Sequence, residues 1–191
     1  MTTNRVLIVW HEDQVVDLVG ASKQEAMTRI ALADLIRSLP GSTSINLLLA
    51  FGNVVPQSLP AKDQWIFEKP TAASPDTKNR FLLALNPEIN ARQFANTTLS
   101  AAIKEAFDMS AGRDTTIIIV RLRDESTNDG ALDLSLFEQR TGVTLHAVMS
   151  KESPKLAELV RHYRGAMILL ESDGDFVFGK VQKRVIDTAK D

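Results

Sequence analysis

The stretch Thr115–Asp124, TTIIIVRLRD, constrains this chain more than any other. Thr116 and Ile117–Val120 make an unbroken β-branched run, with Gly112-Arg113-Asp114 before it and the polar Arg123–Asn128 after it. Such a run has no polar side to give to water, so it reads as a central strand covered on both faces by helices. In an open parallel sheet, functional groups gather beyond the carboxyl ends of the strands. That makes Arg121–Asp124 the first place to look for a site.

Other apolar runs are too short for helices and are expected to lie beside it: Val6–Trp10, Ile45–Phe51, Val143–Met149 and Ala166–Leu170. Trp65–Glu68 reads as a short edge strand, and Lys69–Asp76, broken by Pro70 and Pro75, as a surface loop. Between the strands, apolar residues recur at helical spacing. Ser22–Leu39 opens with Ser22 and Glu25 spaced as a capping box and stops at Pro40-Gly41. Asp76 is positioned to cap a helix through Leu85. Thr97–Met109 carries Leu99, Ala102, Ile103, Ala106 and Phe107 on one stripe, and Thr97 is expected at its N-cap. Leu132–Arg140, Pro154–Tyr163 and Phe176–Ala189 complete the set, the second opening on Ser153-Pro154 with proline at the first helical position. Strands alternating with helices imply right-handed crossovers, hence an α/β, three-layer doubly wound sheet. With no repeat or linker, residues 1–191 are expected to form one domain.

Net charge is −2 with both signs interspersed, so no basic field points to nucleic acid or an anionic membrane. Cysteine is absent, which excludes disulfides, thiolate metal sites and a cysteine nucleophile. The apolar run after Arg5 is too short for a signal peptide, and no stretch approaches the roughly 20 apolar residues of a membrane span. The expected location is therefore the cytoplasm.

Several catalytic signatures are missing: there is no phosphate-binding P-loop, no G-x-G-x-x-G, no G-x-S-x-G and no H-E-x-x-H. Of the three histidines, His146 falls inside a strand and His162 on an exposed helix face beside Arg161 and Arg164. His11 alone stands beyond a strand end, in His11-Glu12-Asp13, where general acid–base chemistry would need a buried, shifted carboxylate. A hydrolase using His11 and Asp13 is one alternative reading, although no nucleophile is placed beside them. Asp173-Gly174-Asp175 reads as a turn, with too few following oxygens for a calcium loop.

The order of elements, from Val6 to about Asp187, resembles the von Willebrand factor type A domain. Asn96–Phe107, NTTLSAAIKEAF, is similar to that family's segment of a threonine followed by a helix beginning Leu-x-x-Ala-Ile. Val6–Trp10 resembles its first strand, Asn46–Gly52 its second, and Trp65–Glu68 its short antiparallel edge strand. The resemblance implies a mostly parallel sheet with one short antiparallel edge. It also implies a crest where Asp-x-Ser-x-Ser, a threonine and an aspartate hold a magnesium ion. Thr97 or Thr98 matches the threonine, but the first loop reads Trp10-His11-Glu12-Asp13-Gln14-Val15, and Arg121-Leu122-Arg123-Asp124 replaces the usual Thr-Asp-Gly. An arginine near the ion's place opposes a divalent cation. A degenerate, metal-free member is thus expected, with no cofactor. Such domains are usually protein-interaction modules, acting as adaptors or assembly subunits. The candidate partner-binding face comprises His11, Glu12, Asp13, Gln14, Thr97, Thr98, Arg121, Arg123 and Asp124, and the partner would be another protein. A surviving Mg2+ site would use Asp13, Thr97 and Asp124, with Glu12 as a further oxygen donor. A second place for a partner is the apolar edge formed by Gly52–Lys62 and Trp65-Ile66-Phe67, unless Trp65 and Phe67 pack beneath the Pro70–Pro75 loop.

Overall fold

All seven residues of the strand Thr115–Arg121 are buried, as an unrelieved β-branched run requires. The computed structural model describes residues 4–12, 23–51, 65–86, 95–111, 113–122, 132–134, 137 and 140–170. Their elements are β1 (Arg5–Glu12), α1 (Lys23–Ser38), β2 (Ser44–Phe51), β3 (Thr71–Ala72), α2 (Pro75–Ala84), β4 (Ala95–Asn96), α3 (Leu99–Met109), β5 (Thr115–Arg121), β6 (Val143–Met149), α4 (Pro154–His162) and β7 (Met167–Leu169). The sheet runs β3-β2-β1-β5-β6-β7, with β4 also on β2. Every pairing is parallel except β2 with β3. The predicted architecture holds: α/β, doubly wound and mostly parallel, with one antiparallel edge.

The two faces of the sheet follow from the period-2 alternation of side chains. Val6, Ile8 and Trp10 of β1, with Ile118 and Val120 of β5, pack against Leu32, Leu35 and Ile36 of α1 and Phe81 of α2. Leu7, Val9, Ile117 and Ile119 turn the other way, onto Ile103 and Phe107 of α3 and Leu156 and Val160 of α4. Three layers result.

Helix starts are set by short side chains. Thr98, not Thr97, caps α3, its hydroxyl accepting the Ala101 N–H at 3.2 Å. Ser74 caps α2 through the Thr77 N–H, with Pro75 at the first turn, so the cap precedes Asp76. Ser153 does the same for α4 through the Leu156 N–H. Both Ser-Pro pairs open helices because proline has no N–H to leave unbonded there. At its far end α3 has no basic residue in its own last turn. The guanidinium groups of Arg5 and Arg140 reach across to donate to its Met109 and Phe107 carbonyls. They neutralise the negative end of the helix from outside it.

The antiparallel edge strand lies at Thr71–Ala72, not at Trp65–Glu68. The cause is Asn46, fully buried in β2. Its side-chain amide donates to the Phe67 carbonyl at 2.9 Å and accepts the Phe67 N–H at 3.1 Å, taking the place of a ladder residue. One backbone bond, Ile66 N–H to Leu47 carbonyl at 3.0 Å, adds to it. Trp65 and Phe67 are buried, 6 % and 7 % exposed, on opposite faces of the sheet, so they offer no apolar edge. In the predicted Leu132–Arg140 helix, the described residues show a 3₁₀ position at Leu134 and a Phe137 N–H to Leu134 carbonyl bond of 3.2 Å. The segments 52–62 and 176–189, Ser22 of the expected capping box and Asp173-Gly174-Asp175 lie outside the described residues.

Gly142, at φ 77°, turns the chain into β6, a backbone geometry that favours glycine. Gly165 is needed for space: a Cβ there would stand 1.4 Å from the Leu145 carbonyl oxygen.

The Asn46 clamp is testable. Asn46→Ala removes the partner of both Phe67 backbone groups and should lower stability by about 2–4 kcal/mol, two unsatisfied polar groups at about 1–3 kcal/mol each with partial relief by water. Urea unfolding followed by tryptophan fluorescence reads the change; a loss under about 0.5 kcal/mol would show that the clamp contributes little.

Candidate interaction crest

β1 leaves the sheet at His11 and Glu12, and the pleat sends their side chains to opposite faces. His11 shares its side with Leu7 and Val9, which puts it beside the start of α3. There the short strand β4, pairing with β2 at Ala50 and Phe51, delivers Thr97 to the crest. The His11 Nε2 lies 2.8 Å from the Thr97 carbonyl oxygen, so that nitrogen carries the proton and donates. The ring is fully buried and Thr97 is 5 % exposed. Two residues predicted for the site are thus brought together. Their contact is a tie between β1 and the α3 N-terminus.

Glu12 falls on the other side, with Trp10 two residues earlier on the same face. Its Oε1 accepts the Trp10 indole N–H at 2.8 Å. The Leu122 N–H points to both carboxylate oxygens, at 3.0 and 3.2 Å. Backbone pairing of β1 with β5 ends at Trp10 opposite Val120. The Glu12 side chain takes over from there and continues the ladder by one residue. At 1 % exposure, the carboxylate is stabilised by the N–H donors that converge on it.

Arg121 is the last residue of β5 and only 6 % exposed, its carbonyl accepting the Ser150 N–H at 3.2 Å. Thr98, half-buried, is occupied as the α3 cap. Behind the crest, the Ser100 hydroxyl accepts the Asp133 N–H at 3.0 Å, fixing the 132–134 segment to the first turn of α3. Asp13, Gln14, Arg123 and Asp124 lie outside the described residues.

A hard divalent cation wants six or more oxygens, several of them carboxylate. Among the described residues no group of three or more His, Asp or Glu side chains is placed to share an ion. Both Glu12 oxygens already face N–H donors, and Arg121 brings a buried positive charge to the same rim. The described part of the crest does not fit such an ion. Sequence reasoning missed the Trp10–Glu12–Leu122 connection. Its one legible signal was a tryptophan two residues before an acid, on the same side of a strand.

Glu12→Gln retains the shape but turns an N–H2 toward the donors at one oxygen position. It should cost about 1–3 kcal/mol, seen as a lower urea midpoint with an unchanged slope. Full wild-type stability would remove Glu12 from this role.

No helix among the described residues is long and apolar enough to cross a membrane. No protein-family model matches the chain, and no curated protein matches it by sequence.

Proposed function

We propose that the chain is a non-enzymatic protein-interaction module of the von Willebrand factor type A kind, an adaptor or assembly subunit. It engages another protein through its crest without a divalent cation. The observation that carries this reading is the Glu12 carboxylate at the end of β1, directed inward onto the Trp10 and Leu122 N–H groups. A cation-dependent crest needs its acids turned outward, with an open position for the partner's own carboxylate. The His11 ring, fully buried on a backbone carbonyl, likewise has no route to a substrate, which weighs against hydrolysis. With these groups committed to holding β1, β5 and α3 together, contact with a partner falls to the chain leaving the crest: Asp13, Gln14, Arg123 and Asp124.

Affinity purification of tagged protein from the native source, in EDTA, tests this. The expected result is a specific protein partner that survives EDTA and is depleted at least about tenfold, near 1.4 kcal/mol, by Arg123→Glu with Asp124→Lys. These positions are chosen over Arg121, whose burial would confound binding with folding. Calorimetry with magnesium and manganese should give no saturable heat. A partner retained only with magnesium, or equally by the double variant, would overturn the proposal.

A further inference from the structure

At the pole opposite the crest, the amino-terminal ends of β1, β5 and β6 and the end of α4 border a half-open cavity of about 480 Å³. That volume suits a small organic ligand, for which roughly 300–1,000 Å³ is usual. Arg5, Arg140, His162 and Arg164 line it, with Asp114 the one carboxylate in the wall among the described residues. Two of these cations have work elsewhere, since Arg5 and Arg140 cap α3, and Arg140 also pairs with Asp108 at 2.9 Å. Asp108 is itself shared with Lys104 at 2.7 Å.

Arg164, an exposed residue at φ 55° just past α4, has no such work, and makes no ion pair with a described residue. The same holds for Arg113, which precedes the wall residue Asp114. Arg113 repels Arg5: burial first, then the Arg113 charge, hold the Arg5 guanidinium below its usual pKa. The Arg5 Nε–H is buried without a hydrogen-bond partner. Among the described residues, three guanidinium groups (Arg5, Arg140, Arg164) therefore line the cavity with one carboxylate, Asp114, while Arg113 stands close enough to Arg5 to repel it and Asp108 is already shared by Arg140 and Lys104. The negative end of α4 also faces this way, but Arg161 and His162 in its last turn offset it.

We propose that this cavity binds a small phosphomonoester, its phosphate drawn to Arg164 and the Arg5–Arg113 pair and its organic body lodged between β5, β6 and Tyr163. The excess of guanidinium groups over carboxylate among the described wall residues matches a phosphate, which carries about −1.5 to −2 at neutral pH, better than a monocarboxylate. The cavity is also larger than a bare phosphate needs. This site is independent of the crest and of its partner.

Calorimetry in phosphate- and sulfate-free buffer, with ribose 5-phosphate and inorganic phosphate as probes, tests it. The sugar phosphate should bind saturably and at least about fivefold tighter than phosphate. Arg113→Gln with Arg164→Asn, which keeps a residue tolerant of positive φ, should weaken binding at least about tenfold, near 1.4 kcal/mol. The unliganded double variant should melt no lower than wild type, because removing Arg113 relieves repulsion on Arg5. No saturable heat from either probe, equal affinity for both, or an unaltered affinity in the double variant would each overturn the proposal.

Discussion

A strand with no polar side must have both faces covered and both edges bonded, and β5 meets that demand fully. Its neighbours β1 and β6 pair with it in parallel along its length, and helices close over each face. Parallel neighbours cannot be joined by tight turns, so each connection has to cross a face of the sheet. Those crossovers bring the chain back to start again at the same end. All the strand exits consequently collect on one rim and all the entries on the other, which creates two chemically distinct poles.

At the exit rim, polar side chains extend the sheet where its backbone pairing runs out. Glu12 serves the Leu122 amide in place of the β1–β5 ladder, and His11 ties β1 to the Thr97 carbonyl at the start of α3. These are residue types that elsewhere bind ions or move protons. Here burial and fixed backbone partners give them an architectural task. At the entry rim, among the described residues, the balance is reversed: the guanidinium groups of Arg5, Arg140 and Arg164 line a cavity with Asp114 as the one carboxylate.

The strands, their parallel sense and the helix between each pair were legible because apolar periodicity survives in the residues themselves. Val6–Trp10, Thr115–Arg121 and Val143–Met149 have few other ways to lie. Asn46 was not legible in that way. It sits among leucines in INLLLAF, and its use as a surrogate for strand backbone depends on Phe67, distant in sequence. Thr97 and Thr98 show the same limit, since either could cap a helix by its residue type, and it is Thr98 whose hydroxyl accepts the Ala101 N–H while the Thr97 carbonyl meets His11. Of the predicted site, the pairing of His11 with Thr97 could be anticipated from the order of elements. The inward turn of Glu12 could not, because an acid beyond a strand end looks the same whether it faces water or a buried amide.

The outer border of β2 is built from three short pieces, two of them joined by Glu68-Lys69-Pro70. β3 takes its first residues in antiparallel sense, Phe67 is held in the middle by the Asn46 amide and the Leu47 carbonyl takes Ile66, and β4 lies parallel at its end. Each described fragment is too short to offer a foreign strand a long edge to copy. A second chain seeking to zip onto this side would have to strip off all three in succession. Self-association by strand addition along β2 is therefore blocked by discontinuity, without the charged gatekeepers that many sheets place on their margins.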